Sequence, residues 1–311
     1  MVNQPRAVLS EASLSTMWAI GRYTSMADFV TAARRLGFGQ VEANYQLTLP
    51  MISEIMELRN RGEVVISSVH DPATLPPGVA LAQLPQLSSL DEGERSAALA
   101  MSRQAVDLAA GLGARVLVVH PGNIPGLRPI ESRLRELYSA GQTGSTEYAR
   151  LRQQLIDERS RRCEVHLQPV AESLRAIASY AAERGLRVGL ENRYYYHEIP
   201  LVDEALRLLV GLSGYDVGYW HDTGHSHCLG VLGFVDEMEW LERLAPWLVG
   251  LHLHDAAGLR DHLAPGAGEI DFAKMLPYVA PDAIRVCEVG SFNDEGQVGA
   301  GLRHLESIGY F

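Results

Sequence analysis

Short apolar runs rich in valine, isoleucine and leucine recur along the chain, each followed by a polar or glycine break and a longer stretch with helical spacing. The runs are Gln40 to Tyr45, Val64 to His70, Arg115 to His120, Arg187 to Asn192, Asp216 to Asp222, Val249 to Asp255 and Ile284 to Val289, with an earlier one near Leu14 to Ile20. They are continuous rather than alternating, as strands of a parallel sheet covered by helices must be. Between them, Ser25 to Leu36, Glu92 to Gly111 and Pro169 to Gly185 read as helices closed by glycine. Eight strand and helix pairs predict an α/β fold, a closed (β/α)8 barrel. Such a barrel takes about 250 residues, so a chain of 311 leaves room for insertions. They are expected after strands 3 and 4, in Asp71 to Leu90 and in Asn123 to about Arg162. No linker or repeat divides the chain, so one domain over 1–311 is expected. A doubly wound open sheet would show a glycine fingerprint after an early strand, and none is present.

Composition narrows the class. With 47% hydrophobic and 21% charged residues the chain is globular, not disordered, collagenous or coiled-coil. No window approaches the roughly 18 to 20 apolar residues of a membrane helix, and Met1 to Arg6 is polar without a signal-peptide block. A soluble cytoplasmic protein without membrane contact is therefore expected. The net charge of −11 disfavours nucleic acid and leaves a small-molecule substrate, anionic or sugar-like. Cys163, Cys228 and Cys287 have no CxxC spacing, so any metal must be held by nitrogen and oxygen.

The candidate chemistry lies at strand ends. His70 closes VVISSVH, His120 closes VLVVH, Glu191 closes VGLE, Asp222 follows VGYWH, His252 lies in VGLHLHD, and Glu288 closes IRVCE. In a barrel these ends converge on one face. One such histidine would be ordinary, but six ionisable residues at equivalent places point to a divalent cation. Mixed imidazole and carboxylate donors suit Zn²⁺ or Mn²⁺, with Fe²⁺ admissible, better than Mg²⁺ or Ca²⁺. His225, three residues after Asp222 and across Gly224 as a tight turn, can face the same site, with His227 a candidate to orient a ligand. His262 precedes Gly266 and Gly268, whose backbone N–H groups could meet an anion if they do not simply form a turn.

Two further features bear on substrate. From Gly126 to Arg162 there are eight arginines against five acidic residues, a local +3. This reads either as a surface helix with paired charges or as a rim that attracts an anion. The run Arg193-Tyr194-Tyr195-Tyr196-His197-Glu198 follows Glu191-Asn192. It can pack as a loop or, through Arg193, Tyr195 and His197, grip a ring and an anion over the site. Trp18 and Trp220 read as barrel core.

With SSVH, VVHPG, LEN, HDTGH, HLHD, DHLAPGAGE and CEVG in this order, the chain resembles the xylose isomerase-like TIM-barrel superfamily, which contains sugar phosphate isomerases/epimerases, endonuclease IV and cobamide-remodelling phosphodiesterases. The resemblance implies two overlapping patterns. In the isomerase and epimerase branch one metal is held by residues corresponding to Glu191, Asp222, His252 and Glu288, and the two glutamates move the proton. In the endonuclease IV branch a three-metal cluster is held, and His70, His120, His225 and His262 correspond to its further ligands, which implies two or three ions here if the chain is a hydrolase. The departure is an aspartate two positions before the last histidine, where this chain has Arg260, with Asp261 displaced by one.

The surplus histidines favour hydrolysis of a small-molecule phosphoester or phosphodiester at a multinuclear site, since proton transfer beside a carbonyl needs one Lewis acid and two bases. The expectation is thus a metal-dependent hydrolase with Glu191 and Glu288 catalytic and with Arg193, Tyr195, His197 and Arg260 toward substrate. The alternatives are a sugar isomerase/epimerase with one metal and a metal-binding protein without catalysis.

Overall fold

The computed structural model describes residues 8–76 and 78–311, so Met1 to Arg6 lie outside the described residues. Eight strands close a parallel barrel: β1 (Leu9–Ser15), β2 (Phe38–Ala43), β3 (Ile66–Asp71), β4 (Val116–Val119), β5 (Arg187–Glu191), β6 (Val217–Asp222), β7 (Leu248–Leu253) and β8 (Ile284–Cys287). Each pairs with its sequence neighbours, and β8 closes on β1. Seven of the expected runs supply strands. The first is displaced: the strand is Leu9–Ser15, while Thr16–Ala19 forms a short 3₁₀ turn. The polar residues of β1 hid it, because Ser13 and Ser15 are fully buried and Ser13 Oγ lies 2.7 Å from Ser67 Oγ on β3.

Helices follow the strands with the caps their sequences specify. Met26–Leu36 starts at Ser25, whose hydroxyl accepts from the Asp28 N–H, and stops at Gly37 with φ of 109°. Glu92–Leu112 ends at Gly113, φ 69°. The helix expected from Pro169 begins earlier, spanning Glu164–Ala182 with Pro169 inside it. Among the described residues no helix is long and apolar enough to cross a membrane.

The insertions fall after β3 and β4. The second folds into the helices Arg128–Ser139 and Thr146–Arg162, which pack together. Most of its arginines are spent on internal partners. Arg133 pairs with Glu136 and Glu147, Arg161 with Glu158, and the buried Arg159 with Glu204. Only Arg128 of the eight lines the cavity over the barrel mouth, so the paired-charge reading accounts for most of this segment.

The strand period of two builds the site. Val116, Val118, Trp220, Val249, Ile284 and Val286 form a small buried cluster separate from the main core. Two residues further along their strands stand His120, Asp222 and Glu288, which therefore face the same side. Beside them, a Cβ on Gly250 would stand 2.2 Å from Trp220 Cζ3, so only glycine leaves room for that indole beneath His252. The apolar layer is the floor on which the polar layer rests. Trp18 packs against Tyr23 and Phe29 and donates through Nε1 to the Asn293 carbonyl at 2.8 Å.

Candidate metal centre

Glu191, Asp222, His252 and Glu288 each offer a donor atom within 4.8 Å of the others, and all four are buried. His252 Nδ1 stands 3.0 Å from Glu191 Oε1, 3.4 Å from Glu288 Oε2 and 3.6 Å from Asp222 Oδ2. A second group, His70, His120 and Glu191, shares Glu191 with the first, and a third joins His225, Asp261 and His262. All eight sequence-selected ligand candidates thus fall into three adjoining groups. Asp261, one place away from the superfamily position, belongs to the third, whereas the Arg260 guanidinium lies over the Phe292 ring at 5.0 Å and lines no part of the cavity.

Backbone contacts orient the ligands. Asp222 caps the helix Thr223–Val231, its Oδ1 accepting from the His225 N–H at 2.7 Å. The segment after Asp222 is therefore a helix start and not the tight turn expected across Gly224. Gly224 is needed for another reason: a Cβ there would stand 2.1 Å from His254 Cε1. Asn192 accepts from the Asp222 N–H at 2.7 Å and donates to its carbonyl at 2.9 Å. His225 Nδ1 lies 3.0 Å from the Asn192 carbonyl, and His262 Nδ1 lies 3.0 Å from that of Glu288. Donation to these carbonyls leaves each Nε2 lone pair free for a cation. His262 holds φ of 54°, a conformation rare outside glycine and concentrated at functional sites.

Other candidates sit differently from expectation. His227 lies 3.2 Å from Glu237 and 3.3 Å from Glu269, so it orients no ligand of the centre. The N–H groups of Gly266 and Gly268 both donate to Asp255 Oδ2 at 2.9 Å, so the anion they meet is the protein's own. Arg193 is buried, with Nη1 2.9 Å from Glu191 Oε2. His197 Nδ1 stands 2.7 Å from Glu131 Oε2. Arg193, Tyr195 and His197 all line a cavity of about 670 Å³ that also touches His120, His225, Asp261 and His262.

Two further residues that the ligand assignments did not include stand in the centre. Glu42, fully buried at the end of β2, lies 3.0 Å from His252 Nε2 and 3.2 Å from His70 Nε2, and accepts from Ser68 Oγ at 2.7 Å. Its signal was available, since it nearly closes its strand as the other six do. His254 Nε2 lies 3.0 Å from Asp222 and its ring stacks on His262 at 4.2 Å.

The donor chemistry fits a divalent cation. Glu42, Glu191, Asp222 and Glu288 are buried against the imidazoles of His70, His120, His225, His252, His254 and His262, and the Nε2 atoms of His70 and His252 face each other at 3.3 Å. Burial opposes ionisation of Glu191, yet His120 and Arg193 hold it well below the usual carboxylate range. Burial likewise opposes protonation of His70, but Glu42 and Glu288 raise it to about 10. Burial pushes His120, which contacts Glu191, down to about 4. The crowded carboxylates thus draw a proton onto His70 while burial leaves His120 neutral, and a bound metal would replace the proton on His70.

A closed barrel with ionisable side chains gathered at the C-terminal ends of its strands carries them on the face where enzymes of this fold place their active sites. The family model described as "Xylose isomerase-like TIM barrel" matches residues 30–308, and the chain belongs to that family. It is 27% identical over 239 residues to the uncharacterized protein MJ1311 of Methanocaldococcus jannaschii, covering 76% of this chain and 67% of that one. Among solved structures it is similar to the 3-keto-D-glucoside 4-epimerase YcjR of E. coli (TM-score 0.67, 17% identity, 96% of this chain and 99% of that one). It is also similar to the TTHB071 protein of Thermus thermophilus, soaked with ZnCl2 (TM-score 0.62, 22% identity, 96% and 98%). These structural likenesses, both under 25% identical, bear on the fold of the chain.

Proposed function

We propose that the protein is a divalent-metal-dependent isomerase or epimerase of a small sugar-like substrate. The observation that carries this reading is the buried group Glu191, Asp222, His252 and Glu288, which joins two carboxylate bases to one candidate cation position. Zn²⁺ or Mn²⁺ suits its donors. A bound cation would polarise a substrate carbonyl or hydroxyl. Glu191, kept ionised by Arg193 beside it, takes the proton from the carbon beside the carbonyl, and Glu288, once it has taken up a proton from solvent, returns that proton to the same carbon or its neighbour. Arg193 holds Glu191 in place, and Tyr195 and His197 line the same cavity. The test is solvent deuterium at that carbon after incubation of the metal-loaded protein with ketoses and ketoglycosides in D2O, lost in Glu191→Gln and Glu288→Gln.

Hydrolysis of a small phosphoester remains a second reading because His70 and His120 form a further group on Glu191, which a one-metal isomerase does not need. Metal analysis separates the two. One equivalent per chain, unaffected by His120→Ala, supports isomerisation. Two or three equivalents, reduced by His120→Ala, together with cleavage of a nitrophenyl phosphodiester and no deuterium exchange, overturn it.

A further inference from the structure

Outside the metal centre, the buried carboxylates among the described residues are Asp71, Glu131, Glu204 and Asp255. Three of them have both oxygens occupied by donors. Glu131 accepts from Arg135 Nε and the Tyr196 N–H on one oxygen, and from the His197 N–H and Nδ1 on the other. Glu204 is held by the Arg159 guanidinium, Cys163 Sγ and the Leu201 N–H. Asp255 is held by the N–H groups of Ala256, Gly266, Gly268 and Ile270. Asp71 is different. Ser102 Oγ donates to its Oδ2 at 2.5 Å, and among the described residues no donor reaches Oδ1 and no arginine or lysine pairs with the carboxyl. Of the four, Asp71 is also the one that lines the cavity over the metal centre.

The strand period explains its place. His70 turns into the barrel towards Glu42 and Glu288. Asp71, the next residue on β3, therefore faces the other way, towards the helix Glu92–Leu112 that carries Ser102. The same cavity touches His120, His225 and His262, so a molecule held at the metal centre can extend to Asp71. Filling the cavity with a group that cannot donate would strip Oδ1 of water and give it nothing in return. A hydroxyl in that place replaces the lost hydrogen bond, which is how a site tells a hydroxyl from its absence.

We infer that Asp71 is a specificity-determining residue: its Oδ1 accepts a hydrogen bond from a substrate hydroxyl beside the helix Glu92–Leu112, while Ser102 holds the carboxyl in place. This rests on the functional reading above only for the sugar-like nature of the substrate. The open acceptor holds under either chemistry.

The test uses the Mn²⁺-loaded protein and matched ligands, with affinity measured calorimetrically. D-fructose and D-tagatose are each compared with their 1-deoxy, 3-deoxy and 6-deoxy forms, and glycerol 1-phosphate with propyl phosphate. At least one hydroxylated ligand is expected to bind about 10- to 100-fold more tightly than its deoxy partner. Asp71→Ala should bring that ratio to about one, and Asp71→Asn, which keeps the volume and removes the charge, to about threefold. Metal content measured alongside shows that the variants are folded. A ratio that survives in both variants overturns the inference. So do equal affinities within every pair in the unsubstituted protein, including a panel in which nothing binds. A ratio that appears for the phosphate pair alone and collapses on substitution keeps Asp71 in this role and counts against sugar isomerisation, so the two failures are distinct.

Discussion

The Nε2 of His252 lies 3.0 Å from Oε2 of Glu42, a carboxylate buried at the end of β2 that also faces His70. Because the other ring nitrogen of His252 faces Glu191, Asp222 and Glu288, Glu42 fixes the ring and its tautomer from behind. Removing such an outer partner typically costs 10- to 100-fold in metal affinity. Glu42→Gln, which keeps the volume and removes the charge, should weaken metal binding by about that factor in a chelator competition. Unchanged affinity would mean that Glu42 serves packing alone.

Metal binding should release protons. His70, raised to about 10 by Glu42 and Glu288 against burial, is protonated at pH 7 in the metal-free protein. It must lose that proton to coordinate. Apparent affinity therefore rises with pH between about 7 and 10. Calorimetry in buffers of different ionisation enthalpy should give at least one proton released as the site containing His70 fills. No buffer dependence would contradict this account of the centre.

Gly224→Ala tests the close approach of His254. In the first turn of a helix such a change would ordinarily be neutral or slightly stabilising. Here the new Cβ meets His254 Cε1 at 2.1 Å and drives the ring from Asp222. We expect a loss of about 1–3 kcal/mol in denaturant unfolding, with reduced metal content. A more stable variant would show that His254 yields without cost.

Acid should destabilise the protein partly through Glu131 and Glu204. Burial opposes their ionisation, but His197 and Arg135 hold Glu131, and Arg159 holds Glu204, below the usual carboxylate range. A carboxylate whose folded pKa is lowered contributes stability above its unfolded value, near 4.5, and loses it as pH falls through the folded value. Unfolding midpoints should drop below about pH 4.5. Glu131→Gln should already be less stable at pH 7, by about 3 kcal/mol, with a shallower acid slope. An acid slope equal to that of the unsubstituted protein would remove Glu131 from this account.

Arg260→Ala should leave metal content unchanged and turnover within about twofold, since its guanidinium lies over Phe292 away from the cavity. Arg193→Ala should cost far more, because it leaves Glu191 without its buried cation. Comparable losses in both would place Arg260 in the site after all.

The pattern along the chain was enough to determine the barrel, its two insertions and the ionisable residues that stand at the ends of six strands. Burial on both faces writes a strand as a continuous apolar run, and the period of two carries the final ionisable residue inward beside the others. What the pattern could not reveal depends on distance between elements. Glu42 becomes part of the centre only where β2 stands near β7 across the barrel mouth, and Asp261 rather than Arg260 joins His225 because the loop after β7 turns at His262. The N–H groups of Gly266 and Gly268 looked free for an anion until the fold brought Asp255 against them. Local pattern records which face a side chain takes. Only the closed barrel decides which faces meet.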